Sequence, residues 1–268
     1  MLQCTFFCIY LLVGIYYRLP LQKIQYMRKK WLFYIGFFAV LLAVFYFFLF
    51  RISDFSKSDL AIINDNVKDF SFTTQEGKTL TQRDVEGKVY VANYFFTTCR
   101  GICPKMNANM RLVYDAYKNE PGFAILSHTC MPETDSVPLL KRYSQKMIGS
   151  SLVKNEDGSM EIDETKAVDT TLANTNWIFL TGEKANLYKM ARESYIIDNN
   201  PQDTAQKITD QFIHTQFFAL VDKQRRVRGI YDGLKAPEVA KLIADIKGLL
   251  KEKAPGSRFM NGFSNTPN

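Results

Sequence analysis

The sequence predicts an α/β domain of thioredoxin-like order, a sandwich with a β-hairpin insertion, preceded by a single transmembrane helix. Three observations carry that expectation. Residues 31–50 form an unbroken run without a charge. Two apolar stretches, 88–96 and 123–129, are rich in β-formers and are each followed by a segment with helical spacing. A pair of cysteines, Cys99 and Cys103, sits where the first of those strands turns into its helix.

The chain has 268 residues, with 34 basic and 27 acidic side chains and a net charge of +7. That excess would suggest nucleic acid if it were spread over a folded domain. It is not. Residues 1–50 hold Arg18, Lys23, Arg28, Lys29 and Lys30 and no acid, and the remainder is nearly balanced. The expected partner of the positive charge is a membrane, and no nucleic-acid partner is expected. A helix rises ~1.5 Å per residue, so residues 31–50 cover the ~30 Å hydrocarbon core. The basic cluster Arg28-Lys29-Lys30 precedes the run, which places the N-terminus in the cytoplasm and the functional domain in the periplasm, on a single pass through the cell (inner) membrane. The following FFLFRISDFS offers no small-residue cleavage site, so the anchor is expected to be retained. The apolar stretch 5–17 ends at Arg18 and Pro20, and Met27 directly precedes the basic cluster. Residues 1–26 therefore read as an over-extended start, with an organelle transit peptide as the alternative.

The expected organisation is a cytoplasmic segment 1–30, an anchor 31–50, a polar tether 51–67, a folded domain 68–253 and a loose tail 254–268. The hydrophobic fraction of 47%, with only 14 Gly and 9 Pro, excludes a disordered or collagen-like chain. Five cysteines are too few for a disulfide-dense scaffold. Within the domain, 70–73 alternates as a strand and 75–78 is a turn. After the strand at 88–96, Pro104 suits the first turn of a helix to about 117, with Met106, Met110 and Val113 on one face. The strand at 123–129 is followed by a helix at 138–146. Residues 150–171 are acidic and polar, with a turn at Asp157-Gly158, and read as a surface excursion. A strand at 177–180 and a helix at 184–193 come next. Strands 217–221 and 227–231 flank a polar turn as an antiparallel hairpin, and an amphipathic helix at 237–250 closes the fold.

The chemistry concentrates in Thr97-Thr98-Cys99-Arg100-Gly101-Ile102-Cys103-Pro104. Two thiols at a helix start face a partial positive charge, which is expected to favour thiolate, the form that binds metals and attacks disulfides. Structural zinc wants four ligands, and the chain has only two histidines, His128 and His214. A zinc site would have to recruit His128 or Cys130. Two thiolates and an imidazole suit copper, since sulfur favours Cu(I) and nitrogen tolerates Cu(II). Thiol redox is the other option, although three spacer residues differ from the two of the common dithiol motif. Cys130 reads as a small buried residue at the same sheet edge, and His128 as a hydrogen-bonded loop histidine. Cys4 and Cys8 fall in the doubtful N-terminal segment.

The segments FSFTTQEGK, VANYFFTTCRGICPKM, ILSHTCMPETDSV, WIFLTG, FIHTQFFALVD and RGIYDG closely resemble the Sco/SenC family in order and spacing, from Phe70 to Leu250. The resemblance implies a membrane-anchored, thioredoxin-like, copper-binding protein that helps to assemble the CuA centre of cytochrome c oxidase, as copper donor, thiol reductant or both. It implies Cys99, Cys103 and His214 as ligands of Cu(I) or Cu(II), with Cys99 and Cys103 also a redox pair. It implies as partners the oxidase subunit that carries CuA and a donor copper chaperone. Two positions depart from the family pattern. Arg100 stands where proline is common, and Met131, after Cys130, stands where many members have an acidic residue. The expectation is a metallochaperone more than an enzyme. The alternatives are a thiol–disulfide oxidoreductase acting on the oxidase subunit's cysteine pair and a non-catalytic redox-sensing or docking module.

Overall fold

The computed structural model describes residues 20–52, 60–156, 159–163, 165–169, 171–172, 176–198 and 215–252. It divides into two compact units, residues 1–55 and 56–268. In the first unit, helix α1 (Pro20–Ile52) spans 33 residues. Pro20 opens this helix where a break was expected, because proline is tolerated in a first turn that has no use for its missing N–H. Met27 therefore lies inside a continuous helix. Within it, Lys30–Phe47 is 18 residues long and apolar enough to cross a membrane, with side chains exposed all round. A helix that is apolar on every face is compatible with a membrane anchor.

The second unit is built on a sheet that alternates with helices. In chain order its elements are β1 (Ser71–Thr74), β2 (Thr79–Thr81), β3 (Val89–Phe95), α2 (Cys103–Tyr117), β4 (Phe123–Thr129), α3 (Val137–Gly149), β5 (Leu152–Lys154), β6 (Met160–Ile162), β7 (Trp177–Thr181), α4 (Lys184–Lys189), β8 (Phe217–Val221), β9 (Val227–Asp232) and α5 (Ala236–Lys251). Seven strands form one sheet in the order β2-β1-β7-β4-β3-β8-β9, and β5 pairs with β6 separately. β3, β4 and β7 run parallel, and the outer strands are antiparallel. This is the thioredoxin-like α/β sandwich that the sequence predicts, with β8–β9 as the expected hairpin.

The central strands are buried on both faces, which is why β3 and β4 read as nearly continuous apolar runs. Alternation then sorts their side chains. Val89, Val91 and Phe95 join Phe123, Ile125 and Trp177 on one face, under Met106, Met110 and Val113 of α2 and Leu242 and Ile246 of α5. Tyr90, Ala92 and Tyr94 join Leu126 and Leu180 on the other face, under Leu187, Tyr188 and Tyr195.

Several elements differ from the expectations. Residues 150–171 include the small β5–β6 ladder, while the turn at Asp157-Gly158 lies outside the described residues. The helix expected over 184–193 is α-helical only to Lys189, and Met190–Tyr195 continues as a π-helix closed by Ile196 at φ 57°. Residues 60–67, expected as part of a polar tether, are tied to the β8–β9 turn and to the first residue of β9. Ile63 N–H donates to Val227 O at 2.8 Å, Val227 N–H returns a bond to Asn64 O at 2.8 Å, and Val67 N–H donates to Arg225 O at 2.8 Å. This pairs the start of the edge strand β9, whose backbone groups would otherwise be open to other chains. The buried Arg228 fastens the arrangement through Leu60 O at 2.7 Å, Asp222 Oδ2 at 2.9 Å and Glu252 Oε2 at 3.1 Å. The tail from residue 253 lies outside the described residues.

Candidate metal centre

Strand β3 delivers the chain to the site. Its last residue, Phe95, is in parallel register with Thr129, and Cys130 N–H donates to Phe95 O at 2.8 Å, one step beyond β4. The chain then turns, with Cys99 N–H donating to Phe96 O at 3.2 Å, and α2 starts at Cys103 with Pro104 in its first turn. Cys99, Cys103 and Cys130 thus all lie near the carboxyl ends of two parallel strands, where open α/β sheets place their ligands. All three are free thiols. Cys99 is partly exposed, while Cys103 and Cys130 are buried.

Cys103 packs with the core on one face of the sheet and Cys130 with the core on the other. Both nevertheless line one recess of about 10 Å³, together with Phe96, Ile102 and Thr215. That volume is about one water-sized sphere. A larger groove of about 440 Å³ lined by Lys68, Phe70, Phe72, Lys189 and Met190 contains neither cysteine nor histidine.

The expectation of an easily formed thiolate at both motif cysteines does not hold at Cys103. Burial pushes its thiol up to about 12, and the S–H that it donates to Cys99 adds to the rise. The Phe96 N–H acts in the opposite direction and is outweighed. A buried thiolate without a counter-charge loses more solvation than a helix terminus returns. Burial, with the nearby Cys103 and Asp135, likewise pushes the Cys130 thiol up. Arg100 is exposed.

Asp135 organises the approach to the motif. It is fully buried, and its carboxylate accepts from Thr97 Oγ1 at 2.5 Å, from Thr97 N–H at 3.3 Å and from Thr129 Oγ1. The carboxylate therefore clamps the turn before Cys99 to the end of β4. The sequence reading missed this residue. Its signal was an acid six residues beyond a buried threonine, which acquires meaning only once β3 and β4 are paired. Thr97→Val is expected to cost about 1–2 kcal/mol, because it leaves a buried carboxylate with fewer donors. Chemical denaturation of the variant beside the parent measures that difference.

The other expected residues sort as follows. His128 is not in a loop. It is a fully buried residue of β4, on the sheet face opposite Cys103, and is flanked by Phe72, Tyr94 and Tyr195. It cannot join the motif cysteines in a zinc site. Met131 is partly buried against the core, and its N–H donates to Thr129 Oγ1 at 3.0 Å. His214 lies outside the described residues, as do Cys4 and Cys8. Its covalent neighbour Thr215 is described. Thr215 lines the recess, and its Oγ1 donates to Ile197 O at 2.5 Å. Among the described residues, no three His, Cys, Asp or Glu side chains are placed to share a metal ion. Two adjacent sulfurs in a small recess fit a soft monovalent ion better than a hard, fully hydrated one.

Comparison with known proteins tests the resemblance. The SCO1/SenC family pattern matches residues 62–154 and 161–251. The SCO1 protein homolog of Bacillus subtilis (strain 168) is 28% identical over 188 residues, which cover 69% of this chain and 83% of that protein. A SCO1/SenC family lipoprotein from Bacillus anthracis str. Ames superposes with a TM-score of 0.53 at 27% identity, covering 70% of this chain and 97% of its own. BsSco, described as having a disulfide switch and as a member of the Sco family of cytochrome c oxidase assembly proteins, superposes with a TM-score of 0.52 at 26% identity, covering 72% and 98%. The family match runs through the cysteine turn, strand β8 and the closing helix of one continuous fold, and on that ground the chain belongs to the SCO1/SenC family.

Proposed function

We propose that this chain is a membrane-anchored copper chaperone and assembly factor for the CuA centre of cytochrome c oxidase, taking copper with Cys99, Cys103 and His214. The observation that carries the reading is the recess at the end of β3 and β4. It holds the buried sulfur of Cys103, lies beside the partly exposed Cys99, and is walled by Thr215, the neighbour of His214. Copper supplies the cargo, and the protein supplies two soft ligands with one harder one, so that both valences can be held. A partly exposed thiol lets an acceptor's sulfur displace one ligand at a time. BsSco's description as a cytochrome c oxidase assembly protein supports the choice of client. The apolar span Lys30–Phe47 supports anchoring, with residues 31–50 crossing the inner membrane, the N-terminus cytoplasmic and the copper domain periplasmic. A donor copper chaperone completes the expected partners.

The test is copper stoichiometry on the full chain in detergent, with and without His214. One copper per chain is expected, with His214→Ala weakening Cu(II) more than Cu(I). Unchanged Cu(II) affinity and spectrum in His214→Ala would remove that residue from the ligand set.

A second reading, reduction of the oxidase subunit's cysteine pair, is favoured by the hydrogen-bonded Cys99–Cys103 thiols and by the disulfide switch ascribed to BsSco. In that chemistry the partly exposed Cys99 attacks, since burial holds the proton on Cys103. A disulfide between these cysteines closes a short loop and gains little chain entropy, so it stays reducible. Mild oxidation is expected to remove two titratable thiols and to exclude copper. Full copper affinity in the oxidised protein would show that the two states do not compete.

A further inference from the structure

We propose that Cys130 is a further copper ligand: together with Cys103 it forms a two-sulfur seat for Cu(I) inside the recess, into which the ion passes from the Cys99–Cys103 pair. This rests on the copper reading above and deepens it. The recess brings Cys103 and Cys130 onto one small volume although they belong to cores on opposite faces of the sheet. They converge because Cys103 opens α2 above the end of β3, while Cys130 follows β4 and is tied by its N–H to Phe95 O. Cys130 is held from the other side too, since its carbonyl accepts from Tyr188 Oη at 3.0 Å. A space of about 10 Å³ admits one small ion and no hydration shell. Its apolar Phe96 and Ile102 walls offer no polar partners to the waters that Cu(II) would carry.

Among the described residues no three such side chains converge on one point. The two sulfur pairs instead share Cys103. In the transfer, the bonds from copper to Cys99 Sγ and to the His214 imidazole break and a bond to Cys130 Sγ forms. The proton leaving Cys130 is matched by one taken up at Cys99, and the copper stays Cu(I) throughout. The consequence is a Cys99 thiol that is free while the ion is still held. The partly exposed cysteine can then meet a partner's thiol or disulfide without the copper being lost.

The experiment uses the full-length protein in detergent, reduced and loaded with Cu(I) alone, and reads affinity by competition and sulfur neighbours by X-ray absorption at the copper edge. Cys99→Ser is expected to keep one Cu(I) with two sulfur ligands, within about tenfold of the parent affinity. Adding Cys130→Ala to it is expected to reduce affinity by a further factor on the order of 100 or more, since even outer-shell changes cost 10–100-fold. If Cys99→Ser alone strips the ion, or if the double variant binds as well as Cys99→Ser, the Cys130 seat is overturned while copper binding by the parent stands. A parent chain that takes no Cu(I) overturns both. Cys99 is partly exposed, so its serine variant reads out the seat even where Cys130→Ala impairs folding.

Discussion

Lowering the pH from 7 to 4 is expected to cost the folded domain roughly 3 kcal/mol through His128 alone. Burial pushes this imidazole down from its ordinary 6.5 to about 3. It stacks on Tyr94 with ring centroids 5.1 Å apart, meets Phe72 edge-on at 5.3 Å, and has Tyr195 Oη within hydrogen-bond reach, at 3.3 Å from Nε2. Among the described residues its Nδ1 has no partner and the ring no counter-ion, so the protonated ring would place a charge in an aromatic cluster. The sign follows from which state binds the proton first. The unfolded chain takes it up near pH 6.5, whereas the folded chain resists until about 3. The stability is therefore complete above 6.5 and is lost as pH falls through that interval. His128→Phe keeps the ring and removes the titration. Denaturant unfolding at pH 7 and pH 4 is expected to show the parent losing roughly 3 kcal/mol more than the variant. Parallel losses in the two proteins would show that His128 titrates as an exposed group.

Cys103→Ser is expected to reduce Cu(I) affinity more than any other single substitution at the site, by a factor exceeding about 100. Cys103 contributes to both sulfur pairs, so its loss leaves one soft ligand in each. The replacement is conservative in shape, and a hydroxyl is not a competitive ligand for Cu(I). Competition with a chelator of known affinity measures the change. Near-parent affinity in Cys103→Ser would mean that the ion is bound elsewhere. His214→Ala serves as the contrasting variant, because an imidazole matters most to Cu(II).

The contrast between what could be read in the chain and what could not follows the range of the interactions involved. β4 spans the residues expected because a strand buried on both faces announces itself as an uninterrupted apolar run. The same logic placed Cys103 at the start of α2, since Pro104 suits a first turn. It could also have placed His128, because every position inside such a run is interior whatever its polarity. Asp135 was not legible. Its partners Thr97 and Thr129 become neighbours only through the parallel register of β3 and β4, a contact that leaves no local pattern. The tether was misjudged because its polar composition hid Ile63 and Val67, whose backbone groups pair with the β8–β9 hairpin far along the chain. The π-helix at Met190–Tyr195 was equally hidden, since its sequence is as acceptable to an α-helix. The expectation of thiolate at Cys103 failed for a related reason: the helix terminus was visible in the chain and the depth of burial was not.

Arg228 touches Leu60 O at 2.7 Å and Glu252 Oε2 at 3.1 Å with one guanidinium, so the first and last described residues of the folded domain meet at a single side chain. A polypeptide whose ends lie side by side is a closed circuit in all but one covalent link. The order of its elements along the chain is then not essential to the architecture. Joining residue 252 to residue 60 through a short Gly–Ser bridge and opening new ends between β5 and β6 is expected to give a circular permutant that keeps the seven-stranded sheet, with the guanidinium spanning the new junction.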